Sequence, residues 1–131
     1  MLILIKHEAK KYAYDTKSGA AVPLSSLQHK VAENIELPLP PTCPTALRYQ
    51  LAKYDSNDVK RAYDFLLSLF EAKIINEEAG NVAYLLLTGE HCIDSPELAK
   101  CIIDTVRERT GVSKIELIGE NSFSQELKSY L

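Results

Sequence analysis

The side chains in this sequence with the clearest potential for chemistry are those of His91 and Cys92, which are adjacent. They lie in the loop 89–94, after a predicted parallel strand, where α/β proteins place their ligands. A thiol beside a histidine is a conceivable nucleophile. Sequence neighbours seldom face each other in a catalytic geometry, and no oxyanion or orienting motif accompanies this pair. We therefore interpret the pair as an exposed loop with one partly buried thiol, and we predict no catalytic residue.

The remaining cysteines, histidines and glycines do not form a metal or cofactor pattern. Cys43, Cys92 and Cys101 include no C-x-x-C pair and have no histidine at a zinc-site spacing. His7 and His29 have no carboxylate or cysteine at ligand spacing, and the five glycines form no phosphate-binding loop. We expect reduced structural thiols, no metal, no cofactor and, for the chain by itself, no enzymatic activity.

Composition and charge narrow the class of protein. The chain has 131 residues, of which 46% are hydrophobic and 25% charged, which is typical of one globular domain or two very small ones. Its net charge of −3 is unlike the basic footprint of a nucleic-acid binder. The apolar run from Leu2 to Ile5 is too short for a transmembrane helix or a signal-peptide core. We expect a cytoplasmic protein with no membrane or nucleic-acid partner.

The first 79 residues have the pattern of strands followed by helices. Leu2–His7 is a predicted strand, and Tyr12 and Tyr14 alternate with small or polar residues in a second one. Thr16 to Gly19 supplies turn residues, after which Ala20–Leu24 returns as a third strand. Apolar residues at helical spacing then predict three helices, at Ser26–Asn34, Thr45–Tyr54 and Asn57–Lys73. The proline-rich connector 36–44 separates the first helix from the second.

Residues 80–131 have a β-α-β-α pattern. Val82–Thr88 is almost wholly apolar, as in a strand of a parallel sheet. Pro96 begins a helix that ends at Thr110, Lys114–Ile118 is a second strand, and 122–131 a short helix. Because so few elements rarely fold alone, we expect this segment to pack on the first module, on another copy of the chain, or on further sequence. The predicted class is α+β: a winged-helix-like module of three antiparallel strands and three helices at 1–79, then this segment.

Several short motifs in the first module carry a family resemblance. They are Tyr12-Ala13-Tyr14-Asp15, Ser18-Gly19-Ala20 and Leu24 around the hairpin, then Tyr54, Asp58-Val59 and the run 69–75 around the long helix. In this order they resemble the precursor-peptide recognition domain of ribosomal peptide (RiPP) biosynthesis, which is related to the pyrroloquinoline quinone chaperone. That domain is found alone or at the N-terminus of radical-SAM peptide maturases.

The resemblance implies that the leader segment of a precursor peptide binds by β-strand addition and is presented to a modifying enzyme. Carried onto this sequence, the implied peptide-binding residues lie on the third strand and on one wall of the third helix: Ala20, Ala21, Val22, Pro23, Leu24, Lys60, Tyr63, Asp64, Leu67 and Glu71. Pro23 has no N–H, so it removes one ladder bond on whichever side it faces.

Two surface features could contribute to such a groove. The basic pairs Lys10-Lys11 and Lys60-Arg61 could meet an acidic leader peptide, although such pairs are most often solvated surface. Five tyrosines could line the groove, although we expect at least three of them to fill the core instead: Tyr12, Tyr14, Tyr49, Tyr54 and Tyr63.

Two alternative functions remain open from the sequence. The chain could be the N-terminal part of a radical-SAM-type maturase or of a degenerate form of one, although it lacks the C-x3-C-x-x-C motif that binds the cluster. It could also be a winged-helix DNA-binding regulator, which the net charge and the mixed-sign third helix disfavour. The expected partners are a precursor peptide and its modifying enzyme, with homo-oligomerisation left open.

Overall fold

The computed structural model describes residues 1–77, 82–86, 96–110, 114–118, 127 and 129–131. Within them the chain is a mixed α+β protein with nine elements in chain order. They are β1 (Leu2–His7), β2 (Lys10–Asp15), β3 (Ala21–Leu24), α1 (Ser26–Asn34), α2 (Thr45–Gln50), α3 (Ser56–Glu71), β4 (Val82–Leu86), α4 (Pro96–Thr110) and β5 (Lys114–Ile118).

The first three strands form an antiparallel sheet in the order β1-β2-β3. Leu2 faces Asp15 at one end of the β1-β2 pair, and Lys11 faces Leu24 at the far end of the β2-β3 pair. The turn between β2 and β3 needs a left-handed residue, which Gly19 supplies at φ 78° without a Cβ clash. Both β1 and β3 are therefore edge strands of this sheet.

The sheet separates two hydrophobic clusters, because alternate side chains of each strand point to opposite faces. Ile3, Ile5 and Tyr14 face one cluster, whereas Ala13 and Val22 face the other. The second cluster is completed by α1, α2 and α3, and the first by β4, α4 and Leu127. The predicted β-α-β segment thus packs on the first module, which was one of the three packing partners expected for it.

Caps fix where the helices of the first module begin. Ser25 and Gln28 form a capping box at the start of α1, as their spacing suggests. The Asp55 side chain accepts hydrogen bonds from the backbone N–H groups of Asn57 and Asp58 at the start of α3. These caps orient α1 and α3, which pack on one face of the sheet.

Two hydrogen bonds tie β4 to the hairpin of the first module. The N–H of Tyr84 donates to the carbonyl of Thr16 at 2.9 Å, and the Tyr14 hydroxyl donates to the carbonyl of Tyr84. β4 and β5 are parallel, as predicted, with Val82 opposite Lys114. The second half is therefore joined to the first by polar contacts as well as by its apolar core.

Most predicted boundaries agree with the structure within two residues, with one clear correction in α2. That helix was expected to reach Tyr54 but ends at Gln50, because Leu51 has a non-helical conformation (φ −110°, ψ 37°). Ala20 precedes β3, and α3 ends two residues early, at Glu71. The expected last helix at 122–131 and the end of the strand expected at 82–88 lie largely outside the described residues.

Three of the five tyrosines considered for a groove are buried, which confirms the expectation that most fill the core. Tyr12, Tyr14 and Tyr63 belong to the hydrophobic clusters, whereas Tyr49 is exposed.

Among the described helices, none combines the length and the apolar composition needed to span a bilayer.

Candidate functional site

The edge strand β3 was the predicted docking strand, and its ladder shows which main-chain groups face outward. The N–H of Asp15 donates to the carbonyl of Ala20 at 3.0 Å, which marks this pair as hydrogen-bonded. Hydrogen-bonded and non-hydrogen-bonded pairs alternate along an antiparallel ladder. Ala21 and Pro23 therefore direct their main-chain groups away from β2. Because proline has no N–H, the outer edge of β3 has no main-chain donor at Pro23.

Exposure changes sharply along β3. Ala20 and Val22 are buried, and Ala21 is 1% exposed as a whole residue, so its outward main-chain groups are covered. Pro23 is exposed. A peptide that approaches the protein in this conformation can therefore reach the Pro23 end of β3, where the outward carbonyl of Pro23 is an available acceptor.

A cavity of about 270 Å³ lies beside that end of β3. It is lined by residues of the β1-β2 turn, β2, and the junction of β3 with α1: Ala9, Lys10, Lys11, Tyr12, Pro23, Leu24, Ser25 and Ser26. The Lys11 ammonium is 3.4 Å from the Ser26 hydroxyl. Because both charged residues of the lining are lysines, this cavity favours an acidic group.

The predicted wall on α3 is divided between surface and core. Lys60, Asp64 and Glu71 are exposed, and Leu67 is half-buried. Tyr63 is 0% exposed, and its hydroxyl donates to the carbonyl of Pro40 in the proline-rich connector. Tyr63 therefore anchors the connector and does not line an open groove on the β3 side.

Val22 and Leu24 belong to the same buried cluster as Tyr63. The protein's own helices thus already cover the inner face of β3. A ligand can use the outer edge of the strand but cannot reach the side chains of these two predicted binding residues. The structure brings Val22, Leu24 and Tyr63 into one core and places Ala21 in the other cluster. The predicted residues that remain exposed are Pro23, Lys60, Asp64 and Glu71.

Asp15 is a central polar residue that the sequence reasoning missed. Its buried carboxylate accepts hydrogen bonds from the Met1 amino group (2.8 Å), the Lys17 and Ser18 backbones, and the backbone and side chain of Asn76 (both 3.0 Å). Burial would raise the pKa of Asp15, but the hydrogen bonds from Met1, Asn76 and Ser18 outweigh it and lower the pKa. An aspartate just before a Gly-containing turn was the available signal.

His29 is a second missed group. It is 3% exposed, its Nδ1 lies 2.7 Å from a carboxylate oxygen of Glu33, and its buried Nε2 has no hydrogen-bond partner. Burial is the main cause that lowers the pKa of His29; Glu33 opposes the shift, and nearby lysines add to it. The expectation that His29 has no carboxylate at ligand spacing is therefore wrong: the (i, i+4) spacing of His29 and Glu33 on a predicted helix was a sequence signal for their contact.

His29 also lines a cavity of about 350 Å³ where α1 and α4 meet β1. Two larger cavities lie elsewhere, one of about 450 Å³ beside Lys17 and the end of α3, and one of about 410 Å³ between the proline-rich connector and α2. Tyr63, whose buried hydroxyl donates to the carbonyl of Pro40, lines the second of these.

Potential metal ligands do not cluster in the described part of the chain. No group of three or more His, Cys, Asp or Glu residues there could hold a metal ion. Cys43 is buried and Cys101 half-buried, and neither is in a disulfide. His91 and Cys92 lie outside the described residues.

Comparison of this chain with models of protein families, with curated proteins and with solved structures found no match.

Proposed function

We propose that this protein binds an extended acidic peptide at the Pro23 end of β3, and that this peptide is the leader segment of a ribosomally made precursor presented to a modifying enzyme. The observation that carries the proposal is an exposed sheet edge beside a cavity whose charged residues are Lys10 and Lys11. A main-chain hydrogen bond to the Pro23 carbonyl would fix the peptide's register, and the lysines would select its charge.

The order of elements supports a winged-helix-like assignment for the first module. Three antiparallel strands precede three helices, and the β2-β3 hairpin projects its turn towards the chain that follows α3. The resemblance to precursor-peptide recognition domains described above rests on this same order. The buried Ala21 limits the docking edge to fewer main-chain groups than a full added strand would use.

The charges on α3 support DNA binding by the same module less than they support peptide binding. On the exposed side of α3, Arg61 is 2.8 Å from Asp58, and Asp64 and Glu71 are exposed. A helix that enters the major groove needs an excess of positive charge to meet the phosphates. The mixed signs on α3 favour a peptide over DNA.

The test is a titration of the isotope-labelled full chain with synthetic 12-residue peptides followed by amide chemical shifts. One peptide alternates valine with glutamate, and its counterpart alternates valine with lysine. We expect the acidic peptide to shift the amides of Lys10, Lys11 and Leu24, and to bind at least about 10-fold more tightly than the basic one.

The paired variant Lys10→Glu/Lys11→Glu should weaken binding of the acidic peptide by about 10-fold or more. Lys53→Glu/Arg48→Glu makes the same change in net charge on exposed residues around α2, outside this cavity, and should leave binding near the wild-type value. Equal affinity for the two peptides, or equal losses in the two variants, would refute the proposed site.

A further inference from the structure

The opposite edge of the sheet, β1, offers more main-chain groups than β3. The N–H of Thr16 donates to the carbonyl of Met1 at 3.1 Å, which sets the hydrogen-bonded pairs of the β1-β2 ladder. By the same alternation, Leu2, Leu4 and Lys6 direct their N–H and carbonyl groups away from β2. β1 has no proline, so each of these residues keeps its donor.

The cavity of about 350 Å³ lies in front of the middle of this edge. Leu4, Ile5 and Lys6 form its floor. Two helices contribute the rest of its lining: α1 supplies His29 and Glu33, and α4 supplies Thr105 and Arg109. An exposed strand edge between two helices is the geometry in which an extended peptide adds to a sheet.

α4 closes one end of the edge. The Cys101 thiol is 3.8 Å from the carbonyl of Lys6, so this acceptor is already in use. The free main-chain groups near the cavity are therefore those of Leu4 and the N–H of Lys6. An added strand that continued along β1 past Lys6 would lose this acceptor, which favours a chain that ends here.

The charges of the cavity fit a carboxylate at that end. Lys6 and Arg109 have no ion-pair partner within the described residues, whereas Glu33 is engaged by the His29 Nδ1 at 2.7 Å and the Lys30 ammonium at 3.9 Å. The Thr105 hydroxyl donates to the carbonyl of Cys101 at 2.8 Å and keeps its lone pairs available. The buried Nε2 of His29, which has no partner, adds unused hydrogen-bonding capacity in the wall.

We propose that this cavity binds the C-terminal residues of a peptide as an added strand on β1, with the terminal carboxylate held by Lys6 and Arg109. A space of this size admits two or three residues. The main chain of the peptide pairs with Leu4 and Lys6. This site uses a different edge of the sheet from the one proposed for the leader peptide. Either proposal can therefore be refuted without the other.

The first test is a titration of the labelled full chain with the tripeptide acetyl-Val-Ala-Val as the free acid. The outward amides of Leu4 and Lys6 should shift more than those of Ile3 and Ile5, which face β2 and act as internal controls. The C-terminal amide of the same peptide should bind about 10-fold more weakly, because it lacks the charge that the two cations pair with.

Variants locate the carboxylate. Arg109→Ala should weaken binding of the free acid by about 10-fold and leave the affinity for the amide unchanged. Arg48→Ala, which removes the same charge from the exposed side of α2, should change neither. Lys10→Glu, which changes the leader-peptide cavity at a residue that does not line this one, should also leave this binding intact, which separates the two sites.

Four results would overturn the inference, the last of them with acetate. The first is equal binding of acid and amide, the second is shifts that do not include Leu4 and Lys6, and the third is full affinity in Arg109→Ala. A titration with acetate is the remaining control. If it produces the same shifts at the same concentration as the tripeptide, the cavity recognises a carboxylate without the peptide main chain, and the added strand is refuted.

Discussion

The carboxylate of Asp15 receives two hydrogen bonds from Asn76, one from its backbone N–H and one from its side-chain amide, both at 3.0 Å. Asp15 ends β2, and Asn76 follows α3. The Ser18 hydroxyl adds a parallel contact, since it donates to the carbonyl of Ile74 at 2.6 Å. These bonds hold the end of the long helix against the turn that leads into β3, so the position of β3 depends on them.

Replacement of Asp15 by alanine should therefore be costly. The loss of a buried, hydrogen-bonded carboxylate leaves several donors without an acceptor, which we expect to lower the free energy of unfolding by about 3 kcal/mol. Urea unfolding measures this. Asp64→Ala, an exposed aspartate on α3, is the matched control and should change stability by less than about 0.5 kcal/mol. Similar losses in the two variants would contradict the role given to Asp15.

The pH dependence of stability gives a separate check on Asp15. Because the folded-state pKa of Asp15 is lowered below its ordinary value of 3.8, the unfolded chain binds the proton more readily. The stability from this carboxylate is complete above that value and is lost as pH falls through the folded-state pKa. Asp15→Asn should thus show a smaller loss of stability between pH 5 and pH 2 than the wild type does.

Tyr14 should prove more important to the junction of the two halves than Tyr12, although both lie on β2 and face the same cluster. The Tyr14 hydroxyl donates to the Tyr84 carbonyl, and burial, followed by the nearby Asp15, raises the pKa of Tyr14. Tyr14→Phe should lower the free energy of unfolding by about 1–2 kcal/mol and speed hydrogen exchange at the amides of β4. Tyr12→Phe, whose hydroxyl has no partner among the described residues, should have little effect.

Local patterns were enough to predict most of the elements. Alternation placed β2, the Ser25–Gln28 spacing placed the start of α1, and Pro96 marked the start of α4. Each of these signals depends on residues within a few positions of one another. The end of α2 was missed because Leu51 keeps the apolar spacing of a helix while its backbone leaves the helical region.

The candidate sites depended on contacts that local patterns do not encode. The sequence identified β3 but did not show that Ala21 would be covered or that Tyr63 would turn inward to the Pro40 carbonyl. The cavity on β1 exists only because α4 packs beside a strand some 95 positions earlier in the chain, as the Cys101–Lys6 contact shows. Such placements are set by how the two halves dock, which no short motif specifies.

His29 should make the protein sensitive to mild acid. Its pKa is lowered chiefly by burial, so the folded state favours the neutral ring while the unfolded chain titrates near its ordinary value of 6.5. Stability is therefore complete above about pH 6.5 and declines as pH falls from there through the folded-state pKa. Thermal melts between pH 7.5 and pH 5 should show this decline in the wild type and a flatter profile in His29→Gln. The same decline in both proteins would rule out His29 as its source.

Lys73 lies in the left-handed region at φ 60°, where a side chain crowds the backbone. It directly follows the cap residue of α3: its N–H donates to the carbonyl of Phe70, and the N–H of Ile74 donates to that of Leu69, which is the Schellman arrangement usually built on glycine. Lys73→Gly should raise the free energy of unfolding by about 0.5–1 kcal/mol, since relief of the Cβ clash exceeds the entropic cost of a flexible residue.

Lys60→Gly, inside α3, should instead lower the free energy of unfolding by about 1 kcal/mol. Chemical unfolding of both variants distinguishes a relieved conformation from a general effect of glycine, and a loss of stability in Lys73→Gly would show that the lysine side chain itself stabilises this end of the helix.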